Sequence, residues 1–435
     1  MNIRLYNARI LTMEKDCQVF KGEIWVRNEK IAQIAREDEV KKAMEEGAVP
    51  RITWDMQIDC KENLLMPGFK NAHTHSAMTF LRSYADDVPL KEWLNEKIFP
   101  MEAKLTWEDV YELTRLANLE YLTSGITSIF DMYLFPSATA EACLDMGMRC
   151  SLVSGLNNFS SSLEEMEKNY HTWNQKNSLV NYHLGFHGEY TCSKELLTQV
   201  AAMAHQYKAP IYTHLSETRN EVEECKARYG MTPAVFLDSL GMFEYGGGVY
   251  HGVHTTKEDM DVFRKRRLYV VTNPASNAKL ASGIAPIAEY KRRKIHVAIG
   301  TDGPASNNCL DMFREMFLVS GCSKLKEDDA ASLDAMDILR MATVNGAKTM
   351  RHGKTDVLAK GKLADIIMID LQQPNMQPIH NIPKNIVYSG SKLNVAMTMI
   401  NGRILYRNGE FNVGENKEVI YSNCDRIIKR MLNNV

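Results

Sequence analysis

The first stretch of the chain, to about residue 60, is built of short runs that alternate with turn residues. Arg4-Leu5-Tyr6-Asn7-Ala8-Arg9-Ile10 is one such run. Gly22-Glu23-Ile24-Trp25-Val26-Arg27, which alternates polar and apolar positions, is another, and it turns at Asn28-Glu29-Lys30 into Ile31-Ala32-Gln33-Ile34. Alternation with period two is the signature of a strand with one buried face. The pattern returns near the other end, in Lys362-Leu363-Ala364-Asp365-Ile366-Ile367-Met368-Ile369 and in Val395-Ala396-Met397-Thr398-Met399-Ile400. The second of these runs into Asn401-Gly402 and comes back through Arg403-Ile404-Leu405-Tyr406, a hairpin signal. Neither end has enough apolar residues for a core of its own, so the two termini are expected to meet in one small β-sandwich.

Between about Pro67 and Met350 the pattern changes to strand then helix, repeatedly. Strands are predicted at Leu64–His73, Ile126–Met132, Cys150–Gly155, Tyr182–Phe186, Ile211–His214, Gly248–His251, Leu268–Thr272 and His296–Gly300. Helical runs separate most of them; in Lys194–Ala204, Leu196, Leu197, Val200 and Ala204 keep 3.6-residue spacing and Ser193 precedes as a cap. This alternation predicts an α/β fold, a (β/α)8 TIM-type barrel over residues 66–358, with the halves of the sandwich at 1–65 and 359–435. A doubly wound sheet is the alternative, but no Gly-x-Gly-x-x-Gly follows the first barrel strand.

Composition narrows the function classes. The 435 residues are 45% hydrophobic and 24% charged, with a formal net charge of -2. Nothing in that balance points to nucleic acid or an anionic membrane. The N-terminus has no apolar leader, and no run approaches the length of a membrane span. Nine cysteines without a Cys-x-x-Cys pair fit reduced thiols and a cytoplasmic protein. The run Arg264-Lys265-Arg266-Arg267 reads as a solvated helix end, and His171, His205 and His296 as solvated or structural histidines.

Chemistry enters at His73-Thr74-His75, where alternate side chains of a strand aim two imidazoles into one space. In a barrel the reactive residues stand at the C-terminal ends of strands. The fifth predicted strand ends in His214-Leu215-Ser216-Glu217, the sixth in His251-Gly252-Val253-His254, and the eighth in Gly300-Thr301-Asp302-Gly303. His73, His75, His214 and Asp302 make an N3O ligand set that suits Zn²⁺ and also accepts Fe²⁺. Such a metal brings bound water to a pKa of about 7. Glu217, three residues past His214, is placed to carry a proton, and His251 to serve as a further ligand or, in the favoured reading, as a hydrogen-bond donor.

These motifs, together with Pro67-Gly68 and Asn273-Pro274-Ala275-Ser276-Asn277, resemble the amidohydrolase superfamily. Within it the chain is similar, nearly end to end, to the 5-methylthioadenosine/S-adenosylhomocysteine deaminases and their chlorohydrolase relatives. The resemblance implies one zinc on the four residues named. The stretch His183-Leu184-Gly185-Phe186-His187 has no lysine of the kind that bridges two metals in binuclear members. It also implies that Glu217 moves a proton from water to a purine ring nitrogen, that Asp302 takes the remaining one, and that His251 steadies the developing charge on oxygen. Of the substrate contacts, Glu102 would bind the ribose hydroxyls, Trp93 form part of the pocket wall, and His187 and Ser306 line it. His254 would support the site from behind.

The chain departs from the family where substrates are told apart. Arginines that hold an amino-acid carboxylate in S-adenosylhomocysteine deaminases align with Ser154 and a position near Ser162 here, and serine cannot replace a bidentate arginine. Arg149 lies at a position expected to face the barrel packing. Glu189 stands where relatives carry a small residue or proline, and near the mouth it would repel an anionic tail. The expected partner is therefore a small purine nucleoside with a neutral or cationic tail, namely adenosine, 5-deoxyadenosine or 5-methylthioadenosine ahead of S-adenosylhomocysteine. No nucleic acid and no membrane are expected, and a homo-oligomer is left open. The alternatives are deamination or dechlorination of another heterocycle, such as a triazine, guanine or pterin, and a non-catalytic metal-binding barrel.

Overall fold

The computed structural model describes residues 1–46, 52–89, 92–176 and 178–433. Strands from both ends of the chain build one mixed sheet: β1 (Asn2–Ile10), β2 (Phe20–Arg27), β3 (Lys30–Arg36), β4 (Met56–Asp59) and β5 (Leu64–Pro67) from the beginning. From the end come β14 (Ile366–Ile369), β15 (Val395–Ile400), β16 (Arg403–Arg407) and β17 (Glu410–Phe411). The order is β17-β16-β15-β14-β5-β1-β2-β3, with β4 beside β1, so β14 and β5 join the two ends antiparallel. Ile3, Leu5, Ile24, Val26, Leu65, Ile366, Met397 and Met399 close over a common core, which neither end could form alone. The hairpin at Asn401-Gly402 is as expected; both residues adopt positive φ (54° and 74°), as a two-residue turn matching strand twist requires.

The eight remaining strands are β6 (Phe69–Thr74), β7 (Ile126–Asp131), β8 (Arg149–Val153), β9 (Val180–Gly188), β10 (Ile211–Leu215), β11 (Gly247–His251), β12 (Tyr269–Thr272) and β13 (His296–Ile299). Each pairs parallel with the next. The seam between the last and the first is closed by side chains: Thr301 N–H donates to Asn71 Oδ1 (2.9 Å), and Asn71 Nδ2 donates to Thr301 Oγ1 (2.7 Å). Across the same seam Asp302 N–H donates to His73 O (3.0 Å). Ala72, Phe130, Val153, Tyr212, Tyr250, Val271 and Ala298 fill the interior. This is a packed (β/α)8 barrel.

Two expectations change. Leu64–His73 is not one strand: Leu64–Pro67 belongs to the terminal sheet and Phe69–Thr74 to the barrel. Gly68 is where the chain crosses between them; a Cβ there would meet the Thr127 side chain at 2.1 Å. The apolar run is continuous because it is buried in both sheets, so periodicity could not divide it. Secondly, the chain after β17 does not stay in the sheet. Lys417–Asn433 is a helix, with Ile420, Cys424, Ile427 and Met431 buried at helical spacing, and it packs against the barrel helix Trp107–Thr123. Arg149 does face the packing: it is buried at the start of β8, and its guanidinium donates to both Asp365 oxygens (2.7 and 3.0 Å), tying barrel to terminal sheet. Ser193 caps the helix Lys194–Tyr207, accepting from Leu196 N–H (3.2 Å). Among the described residues no helix is long and apolar enough to cross a membrane.

Candidate active site

The barrel's C-terminal mouth brings together side chains from four strand ends. His73 on β6 stacks its ring on Tyr250, which lies below it in the interior, at 3.8 Å between centroids and 17° between planes. His75 follows just past the strand, and its ring meets His73 edge-on at 4.8 Å. His214 comes from β10, and its Nε2 lies 3.1 Å from His73 Nε2. Asp302 follows β13, with Oδ1 3.4 Å from His73 Nε2 and 3.1 Å from His75 Nε2. His251 ends β11, and its Nε2 lies 3.8 Å from Glu217 Oε2 and 4.0 Å from Asp302 Oδ2. Donor atoms of His73, His214, His251 and Asp302 all fall within 4.8 Å of one another.

The backbone behind these groups is unusual. Ser216, His251 and Asp302, each at the end of a strand, have φ of 53°, 72° and 59°. Residues other than glycine persist in that left-handed region where surrounding bonds over-determine them, and such outliers concentrate at functional sites. Here the bonds are visible. Asp302 Oδ2 accepts from Ser276 Oγ (2.6 Å) and Ser306 Oγ (3.0 Å), which turns Oδ1 toward the imidazoles. Ser216 N–H and Glu217 N–H donate to the two oxygens of buried Glu221, at 2.6 and 2.8 Å. Ser282 Oγ donates to Glu217 Oε1 (3.2 Å), and His254 Nε2 anchors the same loop on Ser282 O (2.6 Å).

The donor set fits a divalent metal. His214 Nδ1 faces His187 O (2.7 Å) and His75 Nδ1 faces Met132 O. A carbonyl can only accept, so each Nδ1 carries a proton and each Nε2 is the atom turned inward: on neutral His214 it offers the lone pair a ligand needs, and on His75 it does so once a metal displaces its proton. Burial pushes His73 down to about 3 and, with neighbouring rings, lowers His214 well below the usual histidine range, so both stay neutral. Burial also opposes charge on His75, but the Asp302 carboxylate beside it prevails and raises it to about 9. Against the cost of its burial, His73, His75 and His251 hold Asp302 well below the carboxylate range. Two Nε2 atoms 3.1 Å apart next to an ionised carboxylate thus call for a shared cation.

His251 is distinct. Its Nδ1 has Asn277 Oδ1 at 2.8 Å, nearer than Asn273 Nδ2 at 3.4 Å, so it donates there. Burial disfavours a second proton, but Glu217 and Asp302 together outweigh it and raise the ring above its ordinary value. A protonated Nε2 between two carboxylates is a donor; a neutral one is a fifth ligand, and the geometry accommodates either.

Of the residues expected to touch a substrate, Glu102 is the best placed. Half-buried, its Oε1 accepts from Tyr133 OH (2.7 Å), and the Tyr133 ring stands 6.3 Å from that of His75. Burial raises Glu102 to about 7. Trp93 is buried at the start of the π-helix Trp93–Ile98, in the same long connection as Glu102. His187 packs its ring 4.9 Å from that of His214, and burial lowers it to about 4.

Two assignments change in the structure. Ser306 is buried with its hydroxyl bonded to Asp302, so it orients that carboxylate and does not present a free pocket hydroxyl. Glu189 is not a bare charge at the mouth: it is buried, and both its oxygens accept from Arg228 Nη2 (3.0 and 2.7 Å). That pairing cancels the repulsion expected of Glu189. Ser154 is buried with Oγ accepting from Leu156 N–H (3.1 Å), and Ser162 Oγ accepts from Glu165 N–H (3.1 Å), so neither supplies a cation.

Several contributors had gone unassigned: Ser276, Asn277, Ser282, Tyr133, Tyr250 and Glu221. For Glu221 a signal was present, since Thr218-Arg219-Asn220-Glu221 has the form of a capping box. Thr218 does cap the helix Arg219–Tyr229, but the Glu221 carboxylate reaches past it to the Ser216 and Glu217 amides.

Comparison with known proteins follows the same line. Residues 64–405 match the Amidohydrolase family. A 5-methylthioadenosine/S-adenosylhomocysteine deaminase of Thermoanaerobacter pseudethanolicus is 35% identical over 441 aligned positions, covering 99% of this chain and 100% of that one. A 5'-deoxyadenosine deaminase of Methanothermobacter thermautotrophicus is 40% identical over 375 positions, covering 84% and 87%. Among solved structures, an adenosine deaminase from Xanthomonas campestris with bound zinc superimposes with a TM-score of 0.91 at 29% identity, covering 99% of this chain and 98% of the other.

Proposed function

The chain belongs to the amidohydrolase family, and we propose that within it this protein is the hydrolytic deaminase of an adenosine-like nucleoside, working with one zinc ion held by His73, His75, His214 and Asp302. The observation that carries the reading is Glu217: a carboxylate 3.8 Å from His251 Nε2, beside inward-turned imidazole Nε2 atoms and an ionised Asp302. When bound, the metal supplies Lewis acidity that lets water attack at neutral pH. The net reaction breaks the bond between the purine ring and its amino nitrogen, forms a bond from that carbon to a water oxygen, and releases ammonia.

The chain's own groups divide the proton work. Glu217, with Oε1 fixed by Ser282, has Oε2 free to take a proton from water and deliver it to the ring nitrogen next to the reacting carbon. Asp302, steadied by Ser276 and Ser306, accepts the second proton and passes it toward the leaving amine. His251, anchored through Nδ1 on Asn277, donates from Nε2 to the oxygen on which charge develops. Glu102 binds the sugar hydroxyls, while Trp93 and His187 bound the pocket.

The tail of the substrate is neutral. Ser154 and Ser162 offer no cation to a carboxylate, and the Glu189–Arg228 pair offers no free charge of either sign. Adenosine, 5-deoxyadenosine and 5-methylthioadenosine therefore rank ahead of S-adenosylhomocysteine. Nine free cysteines support a reducing compartment, the cytoplasm. The test is ammonia release by zinc-loaded enzyme from these four nucleosides, compared as kcat/KM. A lead for the first three upholds the reading. A lead for the homocysteine adduct removes the neutral-tail argument, and inactivity on all four removes the nucleoside.

A further inference from the structure

The basic run Arg264–Arg267, read from the sequence as a solvated helix end, takes on another meaning in three dimensions. Its last three residues, Lys265, Arg266 and Arg267, line an open cleft of ≈ 740 Å³ at the N-terminal end of strands β10, β11 and β12, the face opposite the histidine cluster. We propose that this cleft is a binding site for a small oligophosphate-bearing anion.

The lining carries five cations, Lys265, Arg266, Arg267, Lys348 and Arg351, against one carboxylate, Glu244. Arg266 is already engaged, donating to Asp238 (2.6 Å) and to Glu244. Lys265 stands 3.8 Å from Asp238. Arg267, Lys348 and Arg351 are exposed, and among the described residues none has a carboxylate partner. On a chain whose net charge is -2, three cations without a carboxylate partner in one concavity are a local excess, and a concave surface focuses their field. The volume falls in the range of small-molecule sites, about 300–1,000 Å³.

The lining also favours a particular shape of ligand. Arg267 precedes β12, whereas Lys348 and Arg351 belong to the segment that follows the barrel, so the cations reach the cleft from two parts of the chain. More than one phosphate group engages both sides together, and guanidinium forks match phosphate oxygens in pairs. Arg267 and Arg351 both have left-handed backbone (φ 55° and 58°), each just past a helix end. Half-buried Tyr245 and Tyr269 add ring surface, and Gly246-Gly247 adds floor without side chains. Arg351 also lines an adjoining cleft of ≈ 400 Å³ with Lys208, Tyr170 and His183, which gives a longer anion room to extend.

The experiment is calorimetric titration of the metal-loaded protein with inorganic tripolyphosphate and, separately, with ATP, at low ionic strength and again with added chloride. Both are expected to bind, more weakly in chloride. The triple variant Arg267→Ser/Lys348→Ser/Arg351→Ser is expected to bind each at least about tenfold more weakly, and Arg351→Ser alone to fall between. The substituted residues are exposed, and an unchanged thermal midpoint certifies the fold. Stronger binding of ATP that is lost in Tyr269→Ser assigns the site to a nucleotide; equal binding assigns it to the phosphates alone. Absence of binding to the native chain overturns the proposal. So does equal binding by native and triple-variant protein, which is also the signature of an anion that merely chelates the active-site metal.

Discussion

Glu221 holds Glu217 by its backbone: one carboxylate oxygen accepts the Glu217 N–H at 2.8 Å while the other accepts the Ser216 N–H at 2.6 Å. The turn after β10 is thereby pinned with Ser216 at a φ of 53°, and the Glu217 side chain is directed over His251. Glu221→Gln leaves one of these buried amides without an acceptor, a change worth about 1–3 kcal/mol. The expected result is kcat reduced about 10- to 100-fold with KM and metal content near native. An unchanged kcat in a variant of native metal content would show that the turn holds without the clamp.

Glu217 itself answers to a sharper test. Glu217→Gln keeps the shape and the bond from Ser282 but cannot accept a proton. Metal content measured by atomic absorption is expected to stay native, while turnover falls about 10²- to 10⁴-fold, the usual contribution of a positioned acid–base group. Loss of metal along with turnover would move Glu217 into the ligand set.

What the sequence revealed of this site, and what it hid, follows from the range of the interactions. His73, His75, His214, Glu217, His251 and Asp302 were legible because strand ends in a barrel converge by construction, so local patterns were enough. Glu189 was misread because its partner, Arg228, lies 39 residues along and no local pattern records the pairing. Ser306 was legible as a site residue but not in its role, since its acceptor is fixed by the left-handed turn at Asp302. The crossing at Gly68 was hidden for another reason: the sequence on both sides is buried, and burial on every face erases periodicity. The C-terminal helix did carry a readable signal in Ile420, Cys424, Ile427 and Met431, but the nearby strands drew it into the sheet.

Glu315 gives the fold a pH dependence that can be measured apart from catalysis. Fully buried, it accepts from Ala275 N–H (3.1 Å) and Asn307 Nδ2 (2.8 Å), and burial raises its carboxyl from 4.5 to about 8. Between those values the folded chain keeps a proton that the unfolded chain has released, so stability must fall as pH rises through this window and level off above it. Glu315→Gln carries no such proton. Denaturation midpoints taken from pH 5 to 9 are expected to show the variant gaining on the native protein as pH rises. A constant difference would mean that Glu315 is ionised throughout.

Glu102 decides between a nucleoside and a free heterocycle. The carboxylate reaches the mouth through Tyr133, whose hydroxyl donates to Oε1 at 2.7 Å and whose ring stands 6.3 Å from that of His75. Nothing in the proton chemistry above requires it, whereas a ribose diol needs an acceptor that can take two hydroxyls. Removing it in Glu102→Ala deletes charge-assisted bonds worth about 1.5–3 kcal/mol each. For adenosine or 5-methylthioadenosine, kcat/KM is expected to fall about 100-fold or more, chiefly through KM, with metal content native. A free base such as adenine or guanine has no diol to lose, and any turnover of it by the native enzyme should survive the substitution. An equal loss on nucleoside and base would place Glu102 in the scaffold of the mouth and return free heterocycles to the front of the substrate list.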